Sequence, residues 1–394
     1  MDLLKLFRRS TNSKSFIPEI DGLRFFAIIT VMIYHMNTSY MKQIGMGWQQ
    51  WKEITGVYGP LEIGWWVIRL DMGVKVFFAI SGFILALPFL KHFLQNEKKV
   101  KLGDYFYRRL TRLEPPFIIT LLLFLFVHKF ILHGELKELL PHFLSGLLYS
   151  HVFIYGVGNP INPVTWSLET EAQFYILLPL ILIGLFKLRH IILRIIFIAT
   201  LVGLSVYLKS YFYFNQTGHL SSSILAYLSN FSLGVFFAWF YLVYGNTFLS
   251  KKSVFFDVIG LLAMLCMFVF YKPQAVWYNN ILFNISILGL FFSVFKGKLS
   301  NWFYTRPVIY IIGGMCYSLY LLHYAFFYLI VKFTGGIKTN LGFLTDFSLQ
   351  IILLLPAILI VGSVFYLTIE KPCMDKNWPV NVKNFLRTSF LKPK

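Results

Sequence analysis

The chain is a succession of long apolar runs separated by short polar segments. Ten runs are long enough for a helix to cross the roughly 30 Å hydrocarbon core of a bilayer, which takes about 20 residues. A further apolar stretch, 141–157, is short and is broken by Ser, His and Gly. We interpret it as a re-entrant or interfacial piece on the same side as the loop before the fourth run. The predicted spans lie near 23–41, 73–92, 115–133, 166–186, 192–213, 223–244, 253–271, 278–295, 307–331 and 347–369.

The composition excludes an ordinary soluble domain. Of 394 residues, 57% are hydrophobic and 13% are charged, and the mean hydropathy is +0.66, whereas soluble domains are about 25% charged. The net charge of +19 could indicate a nucleic-acid partner. The basic residues, however, stand between apolar runs, where they direct topology and meet anionic lipid. The sequence therefore predicts an all-α polytopic membrane protein that binds no nucleic acid, and its 3 cysteines imply no disulfide framework.

The basic residues also predict the topology. If both termini are cytoplasmic, most of the 36 Lys and Arg residues fall on the inner side, as the positive-inside rule requires. Counting 141–157 as a full crossing would place the later charges outside. We therefore expect a cytoplasmic lead over 1–20, a transmembrane domain over 21–372 and a basic cytoplasmic tail over 373–394.

Arg24 and His35 lie in the first apolar run, where ionisable side chains are costly and are functional candidates by default. Eleven residues at about 100° each bring both side chains to one face of a helix, about 16 Å apart along its axis. Taken alone, Arg24 could be a topology anchor and His35 a hydrogen-bonded packing residue. Their shared face favours a path into the membrane that ends at an imidazole able to take and return a proton.

A cluster of arginines precedes the third run. Arg108, Arg109 and Arg112 stand just before Pro115, and residues three apart, such as Arg109 and Arg112, are neighbours on a helix surface. Clustered guanidinium groups bind phosphate in a bidentate manner. The cluster therefore predicts a phosphate-bearing ligand, and the alternative is simple anchoring to anionic lipid.

Polar groups also interrupt the fourth and ninth runs. Glu171 and Tyr175, four residues apart, share a helix face behind Trp166. The carboxylate could orient a histidine or bind sugar hydroxyls, or it could be only an acid near a helix start. Tyr320 and His323 are three apart on one face, with either a supporting role at a site or a structural one. No P-loop, dinucleotide fingerprint, HExxH or metal-ligand histidine spacing occurs, so we expect no metal.

Six short motifs run through the chain from residue 21 to residue 372, and each alone is weak evidence. They are Asp21-Gly-Leu-Arg24 with His35; Gly73-Val-Lys-Val-Phe-Phe-Ala-Ile-Ser81-Gly-Phe83; Tyr107-Arg-Arg109-Leu-Thr-Arg112-Leu-x-Pro115; Trp166-Ser-Leu-x-x-Glu171-x-Gln173-Phe-Tyr175; Tyr317-Ser-Leu-Tyr320-x-x-His323; and Glu370-Lys-Pro372. Because the six motifs occur in this order and with this arginine–histidine spacing, the chain resembles the acyltransferase-3 family of integral membrane acyltransferases.

The resemblance implies about ten helices, an acyl-CoA donor that binds from the cytoplasm, and transfer to a hydroxyl, usually of a sugar. It implies that His35 is the catalytic histidine and Arg24 its essential partner. It further implies that Arg109 and Arg112 engage the phosphates of CoA.

Two positions depart from the family pattern. Many members have an acidic residue where this chain has Lys75. Many also have two adjacent acids where this chain has Glu171 followed by Ala172. We expect these departures to bear on recognition of the acceptor more than on binding of the donor.

The sequence thus predicts an O-acyltransferase of a bacterial cytoplasmic membrane that moves an acyl group, by default acetyl, from acyl-CoA to a glycan or lipid-linked sugar. We expect the acceptor to enter from the outer side. The residues assigned to it are catalytic His35, Arg24 and Glu171, donor-binding Arg108, Arg109 and Arg112, and acceptor-binding Trp166, Tyr175, Tyr320 and His323. The alternative is a transporter or flippase for a glycan or lipid-linked sugar, without transferase activity.

Overall fold

The computed structural model describes residues 6, 7, 9, 16–271, 276–375 and 377–381. Most of the predicted lead, 1–20, and of the predicted tail, 373–394, lies outside these residues. Within them the fold is helical and no strand occurs. Ten long helices make up the bundle: α1 (Pro18–Gln43), α2 (Gly73–Gln95), α3 (Leu102–Phe130), α4 (Trp166–Lys187), α5 (Ile191–Phe214), α6 (Ile224–Tyr244), α7 (Val254–Phe270), α8 (Trp277–Lys296), α9 (Cys316–Thr334) and α10 (Phe343–Phe365).

Eight helical stretches of the described chain are long and apolar enough to cross a membrane, and they contain α2 to α6 and α8 to α10. Helix α7 is apolar but has 17 residues, and α1 carries charged residues in its first and last turns. The prediction of an all-α polytopic membrane protein is confirmed. The orientation of its termini stays a prediction.

Helix α1 lies inside the bundle. It packs against α2, against α9 and against the short helix Pro307–Gly314, and buried residues occur along its whole length. Because neighbouring helices surround α1, polar side chains along it face protein, which is the condition under which a membrane protein tolerates them.

The stretch 141–157 forms a helical hairpin between α3 and α4. Its two helices are Leu136–Leu147 and His151–Tyr155. At the tip, the hydroxyl of Tyr149 donates a hydrogen bond of 2.9 Å to Glu114, which is about 24 Å along α3 from its C-terminal end at 1.5 Å per residue. The hairpin therefore enters the bundle and turns back, as expected of a re-entrant piece.

The ninth predicted span, 307–331, is not one continuous helix. Its first helix ends at Gly314 and α9 begins at Cys316, with Met315 between them. Glycine weakens a helix interior. Here Gly313 also allows very close approach to α1, since a Cβ at Gly313 would lie 1.7 Å from the carbonyl oxygen of Asp21. The expectation of an unbroken span is wrong at this point, where the close packing of two backbones requires glycine at Gly313.

Candidate functional site

The candidate residues separate into two groups along α1. Arg24 lies near the N-terminal end of this helix and His35 lies toward its C-terminal end. We call the surroundings of Arg24, with Arg109 and Arg112, the arginine end. We call the surroundings of His35 and His323 the histidine end.

At the arginine end a buried carboxylate holds two guanidinium groups. Asp21, which is 4% exposed, accepts a hydrogen bond of 2.6 Å from Nη1 of Arg24 and a longer one of 3.5 Å from Nη1 of Arg9. The Asp21–Arg24 pair spans one helical turn, and such residues face each other on a helix. Asp21 therefore fixes the direction of the Arg24 side chain.

Arg112 extends this cluster from α3. The charges of Glu370, Arg24 and Arg109 all act on its guanidinium group. Its Nε atom is buried and has no hydrogen-bond partner among the described residues, and the same is true of Nε of Arg9. Unpartnered buried donors are costly, and their presence here marks a place that can receive an acceptor such as a phosphate oxygen.

Glu370 closes the cluster from the π-helical turn that follows α10, Tyr366–Glu370. Its carboxylate is 1% exposed and accepts hydrogen bonds from the backbone N (3.0 Å) and the Oγ (2.5 Å) of Ser318. Together with Asp21 it faces the guanidinium groups of Arg9, Arg24 and Arg112. The arginine end is therefore locally cationic and suited to an anionic ligand.

The three predicted phosphate-binding arginines do not share one surface. Arg109 is half-buried, with its guanidinium carbon 5.6 Å from the ring centre of Tyr175 and 5.9 Å from that of Tyr105. Arg108 is exposed, because successive side chains on a helix point about 100° apart. The structure brings Arg109 and Arg112 toward the cluster and leaves Arg108 outside it.

The histidine end is built around two imidazoles from different helices. The ring centres of His35 on α1 and His323 on α9 lie 5.2 Å apart, with the planes tilted by 46°. The rings of Tyr34 and Tyr324 lie against His35 edge-on, at 5.2 and 5.3 Å. His35 is half-buried, and no hydrogen bond to its ring is made by any residue that the structure describes.

His323 is fully buried, and its two ring nitrogens differ in environment. Nδ1 lies 2.8 Å from the carbonyl oxygen of Tyr320 and 3.1 Å from that of Leu319. Carbonyl oxygens only accept, so Nδ1 carries the hydrogen. In the neutral ring Nε2 is then the acceptor, and it is buried without a partner among the described residues.

Glu171 and Tyr175 lie between the two ends. Glu171 accepts a hydrogen bond of 2.6 Å from Ser81 on α2, it contacts the Tyr175 hydroxyl, and its charge reaches Arg24. In the described structure no contact joins Glu171 to the His35 ring, so an orienting role toward that histidine has no direct support. Tyr175 lies beside Arg109 rather than beside His323.

Tyr320 lies at the histidine end, with its ring centre 6.0 Å from that of His323, whereas Trp166 lies at the start of α4. Trp166 is half-buried against Tyr227, with ring centres 5.5 Å apart. The Tyr320 hydroxyl donates to the carbonyl oxygen of Val164 and lies 2.9 Å from Oγ of Ser167. That hydroxyl therefore joins α9 to the start of α4, whereas the ring of Trp166 keeps an accessible surface.

A cavity of about 200 Å³ opens beside this end of the bundle. Tyr324, whose ring contacts His35, lines it together with residues of α3 and of the segment before α4, among them His128 and Pro163. Among the described residues no group of three or more His, Cys, Asp and Glu side chains could hold a metal ion.

Comparison with known proteins identifies the family. The model of an acyltransferase domain matches residues 17–367, which is most of the chain. The chain belongs to the acyltransferase-3 family. Its resemblance to that family, read from six motifs, is thereby confirmed.

The relatives of this acyltransferase-3 chain include longer proteins. It is 28% identical over 406 residues to the O-acetyltransferase OatA of Staphylococcus aureus strain MRSA252, covering 95% of this chain and 61% of that protein. OatA of strain NCTC 8325 / PS 47 is 28% identical over 390 residues, covering 93% and 58%. A putative O-acetyltransferase of strain COL is 26% identical over 406 residues, covering 95% and 61%. The chain thus spans about three-fifths of these relatives. No solved structure matches it.

Sequence reasoning about this acyltransferase-3 chain missed three participants at the arginine end. The spacing of Asp21 and Arg24 contained a usable signal, since an acid and a base three apart pair on a helix. Glu370 stood in a motif without an assigned role, and nothing local indicates that it faces Arg112. Arg9 carries no signal in the sequence, because only the fold brings it to Asp21.

Proposed function

We propose that this protein is a membrane O-acyltransferase that moves an acyl group, by default acetyl, from acyl-CoA to a hydroxyl of a glycan or lipid-linked sugar. The observation that carries the proposal is the arrangement along α1. A cationic cluster with unpartnered donors surrounds Arg24, and a pair of imidazoles lies at His35, eleven residues further along the same buried helix.

The donor binds at the arginine end. Phosphate groups of CoA accept hydrogen bonds from Arg109, Arg112 and their neighbours, because guanidinium groups bind phosphate with charge assistance. Arg24, held by Asp21 at 2.6 Å, stands on the way to His35. The pantetheine arm then extends along α1 for about 16 Å to place the thioester at the imidazole.

The transfer takes place at His35. Its ring accepts the proton of the acceptor hydroxyl as that oxygen attacks the thioester carbonyl carbon, the new C–O bond forms and the C–S bond breaks. The proton then passes from the imidazolium to the departing sulfur, so that His35 returns to its neutral state. His323 supports this step, since its fixed Nδ1–H leaves an acceptor nitrogen in the ring next to His35.

The acceptor enters at the histidine end. Trp166 offers an aromatic surface of the kind on which sugar rings stack, and the cavity provides space beside Tyr324, whose ring contacts His35. With both termini cytoplasmic, this end faces the outside of a cell membrane, and the two substrates approach from opposite sides.

A transfer assay tests the catalytic proposal. Membranes containing the protein are incubated with acetyl-CoA labelled in the acetyl group, and label in the glycan fraction is counted. We expect His35→Ala to abolish transfer while purified protein is still stabilised thermally by CoA. Full transfer by His35→Ala would refute the assignment of His35 as the base.

The donor site is tested with a matched pair of arginines from one helix. Arg112→Ala removes a charge-assisted contact worth about 1.5–3 kcal/mol, so kcat/KM for acyl-CoA is expected to fall by about tenfold or more, mainly through KM. Arg108→Ala, at the exposed position, is expected to change KM by less than about twofold. A transporter that lacks transferase activity has no donor site for CoA. Thermal stabilisation of the purified protein by CoA, but not by dephospho-CoA, would therefore also exclude that alternative. Equal KM values for the two variants would contradict the donor site.

A further inference from the structure

The last part of the described chain lies at the arginine end. It comprises residues 371–375 and 377–381, which we call the C-terminal segment. Its helix Lys371–Cys373 contacts α3. Met374 is 8% exposed and belongs to the buried apolar cluster around Met315, at the break before α9. The segment therefore begins in a fixed position, between α3 and this break.

Trp378 attaches the C-terminal segment to α3 a second time. Its Nε1 donates a hydrogen bond of 2.8 Å to the carbonyl oxygen of Thr111. In an α-helix that carbonyl would accept from the N–H four residues further on, but residue 115 is proline, which has no N–H. The indole therefore supplies the donor that Pro115 lacks, and its position is fixed one residue before Arg112.

The faces of the Trp378 ring have no partner of their own. The side chain is half-buried, and no ring–ring or cation–ring contact joins it to another residue that the structure describes. Tryptophans of a membrane-interface belt turn their polar edge toward water and headgroups, whereas that edge of Trp378 is bound to α3. A free aromatic surface thus stands beside the arginine cluster.

This surface has a chemistry that the arginines lack. Guanidinium groups bind phosphate oxygens but do not distinguish what the phosphates are attached to. In CoA the phosphates are attached to the ribose of adenosine, and adenine, like every base, has a flat π face that stacks on aromatic side chains. A ligand whose phosphates lie at Arg112 therefore brings its base within reach of the ring that is anchored at Thr111.

We propose that Trp378 stacks on the adenine base of the acyl donor, so that the C-terminal segment forms the nucleotide side of the donor site. This inference rests on the proposed function, since that function makes acyl-CoA the donor. It adds recognition of the base to recognition of the phosphates, and it gives the ring of Trp378 a role besides its hydrogen bond to Thr111.

Binding of the two halves of the donor to purified protein tests the proposal. Adenosine bisphosphate, the nucleotide half of CoA, carries the base, whereas phosphopantetheine carries a phosphate and the arm but no base. Their dissociation constants are measured by competition with labelled CoA, for the unmodified protein, Trp378→Ala and Trp378→Phe. Both variants lose the donor to Thr111, but only Trp378→Phe keeps an aromatic ring.

Trp302→Ala is the matched control. Trp302 lies on the short helix Leu299–Tyr304, which packs against α1, and is 57% exposed. Its ring already holds a partner, because the guanidinium carbon of Arg306 lies 3.8 Å from the ring centre.

Trp378→Ala is expected to weaken binding of CoA and of adenosine bisphosphate by about tenfold and to leave binding of phosphopantetheine unchanged. Trp378→Phe should bind CoA within about threefold of the unmodified protein, and Trp302→Ala should bind it equally well. A tryptophan that only completes the hydrogen bonding of α3 gives a different pattern, since both Trp378 variants would then weaken all three ligands alike.

Equal affinity of Trp378→Ala and the unmodified protein for CoA overturns the stacking. A loss that phosphopantetheine shares in Trp378→Ala, or that is as large in Trp378→Phe, overturns it too. In each of these results CoA still binds, so the donor site at the arginine end stands. If the unmodified protein binds neither CoA nor adenosine bisphosphate, the donor site of the proposed function fails together with the stacking.

Discussion

The glycine pair before α9 offers a direct test of how the arginine end is held in place. A Cβ added at Gly313 would lie 1.7 Å from the carbonyl oxygen of Asp21 and 2.8 Å from the backbone N of Phe25. A Cβ added at Gly314 would meet only the Cβ of Arg9, at an ordinary 3.8 Å. The two adjacent positions therefore predict opposite outcomes for the same substitution, glycine to alanine.

The magnitude follows from these contacts. Real Cβ atoms keep at least 3.0 Å from such neighbours, and the obstacle at Gly313 is backbone, which no side-chain rotation relieves. The helix Pro307–Gly314 must withdraw from α1 by more than 1 Å, and overpacking of this kind costs about 1–3 kcal/mol or more. The gain from replacing glycine in a helix is about 1 kcal/mol. Because the clash at Gly313 is with backbone, its cost lies at the upper end of that range, and Gly313→Ala is expected to lose about 2 kcal/mol net. Gly314→Ala is expected to be neutral or to gain up to about 1 kcal/mol.

The assay is thermal unfolding of the purified protein, followed by intrinsic fluorescence with and without CoA. Gly313→Ala should melt several degrees below Gly314→Ala. It should also show a smaller stabilisation by CoA, since Asp21 orients Arg24 at the contact that the new methyl group disturbs. If Gly313→Ala melts at or above Gly314→Ala, the helices do not approach as described and the explanation for the break at Met315 is wrong.

Two further predictions concern buried polar side chains, one through its hydrogen bonds and one through its titration. Glu370→Gln removes the charge of a carboxylate that accepts two hydrogen bonds from Ser318. Thermal melting should show that the free energy of unfolding falls by about 2 kcal/mol. A melting temperature equal to that of the unmodified protein would contradict the role of this charge. Burial, and then the nearby charge of His142, lower the pKa of His151 below its ordinary value. The unfolded state therefore binds more protons, and the stability of the protein falls as the pH drops below about 6.5. The variant His151→Asn should reduce the difference in melting temperature between about pH 7.5 and about pH 5.5. An unchanged difference would contradict the role of His151 in this pH dependence.

Much of the fold could be predicted from the sequence because helices in a membrane satisfy their own hydrogen bonds and need only sufficient apolar length. The long helices lie close to the predicted spans, and the stretch 141–157 turns back as expected. The break at Met315 could not be predicted, because it depends on how closely two backbones approach. No local pattern distinguishes a glycine required by packing from one that is merely tolerated.

The candidate site also has features that the sequence alone decided and features that only the tertiary structure decided. The placement of Arg24 and His35 on one face of a helix was already decided by their spacing of eleven residues, since helix geometry alone sets the angle between them. Only the tertiary structure placed the ring of His323 at 5.2 Å from that of His35 and the hydroxyl of Tyr271 at 2.9 Å from Asp71. Spacing along one helix is fixed by covalent geometry, whereas contacts between helices depend on how side chains from distant parts of the chain pack together.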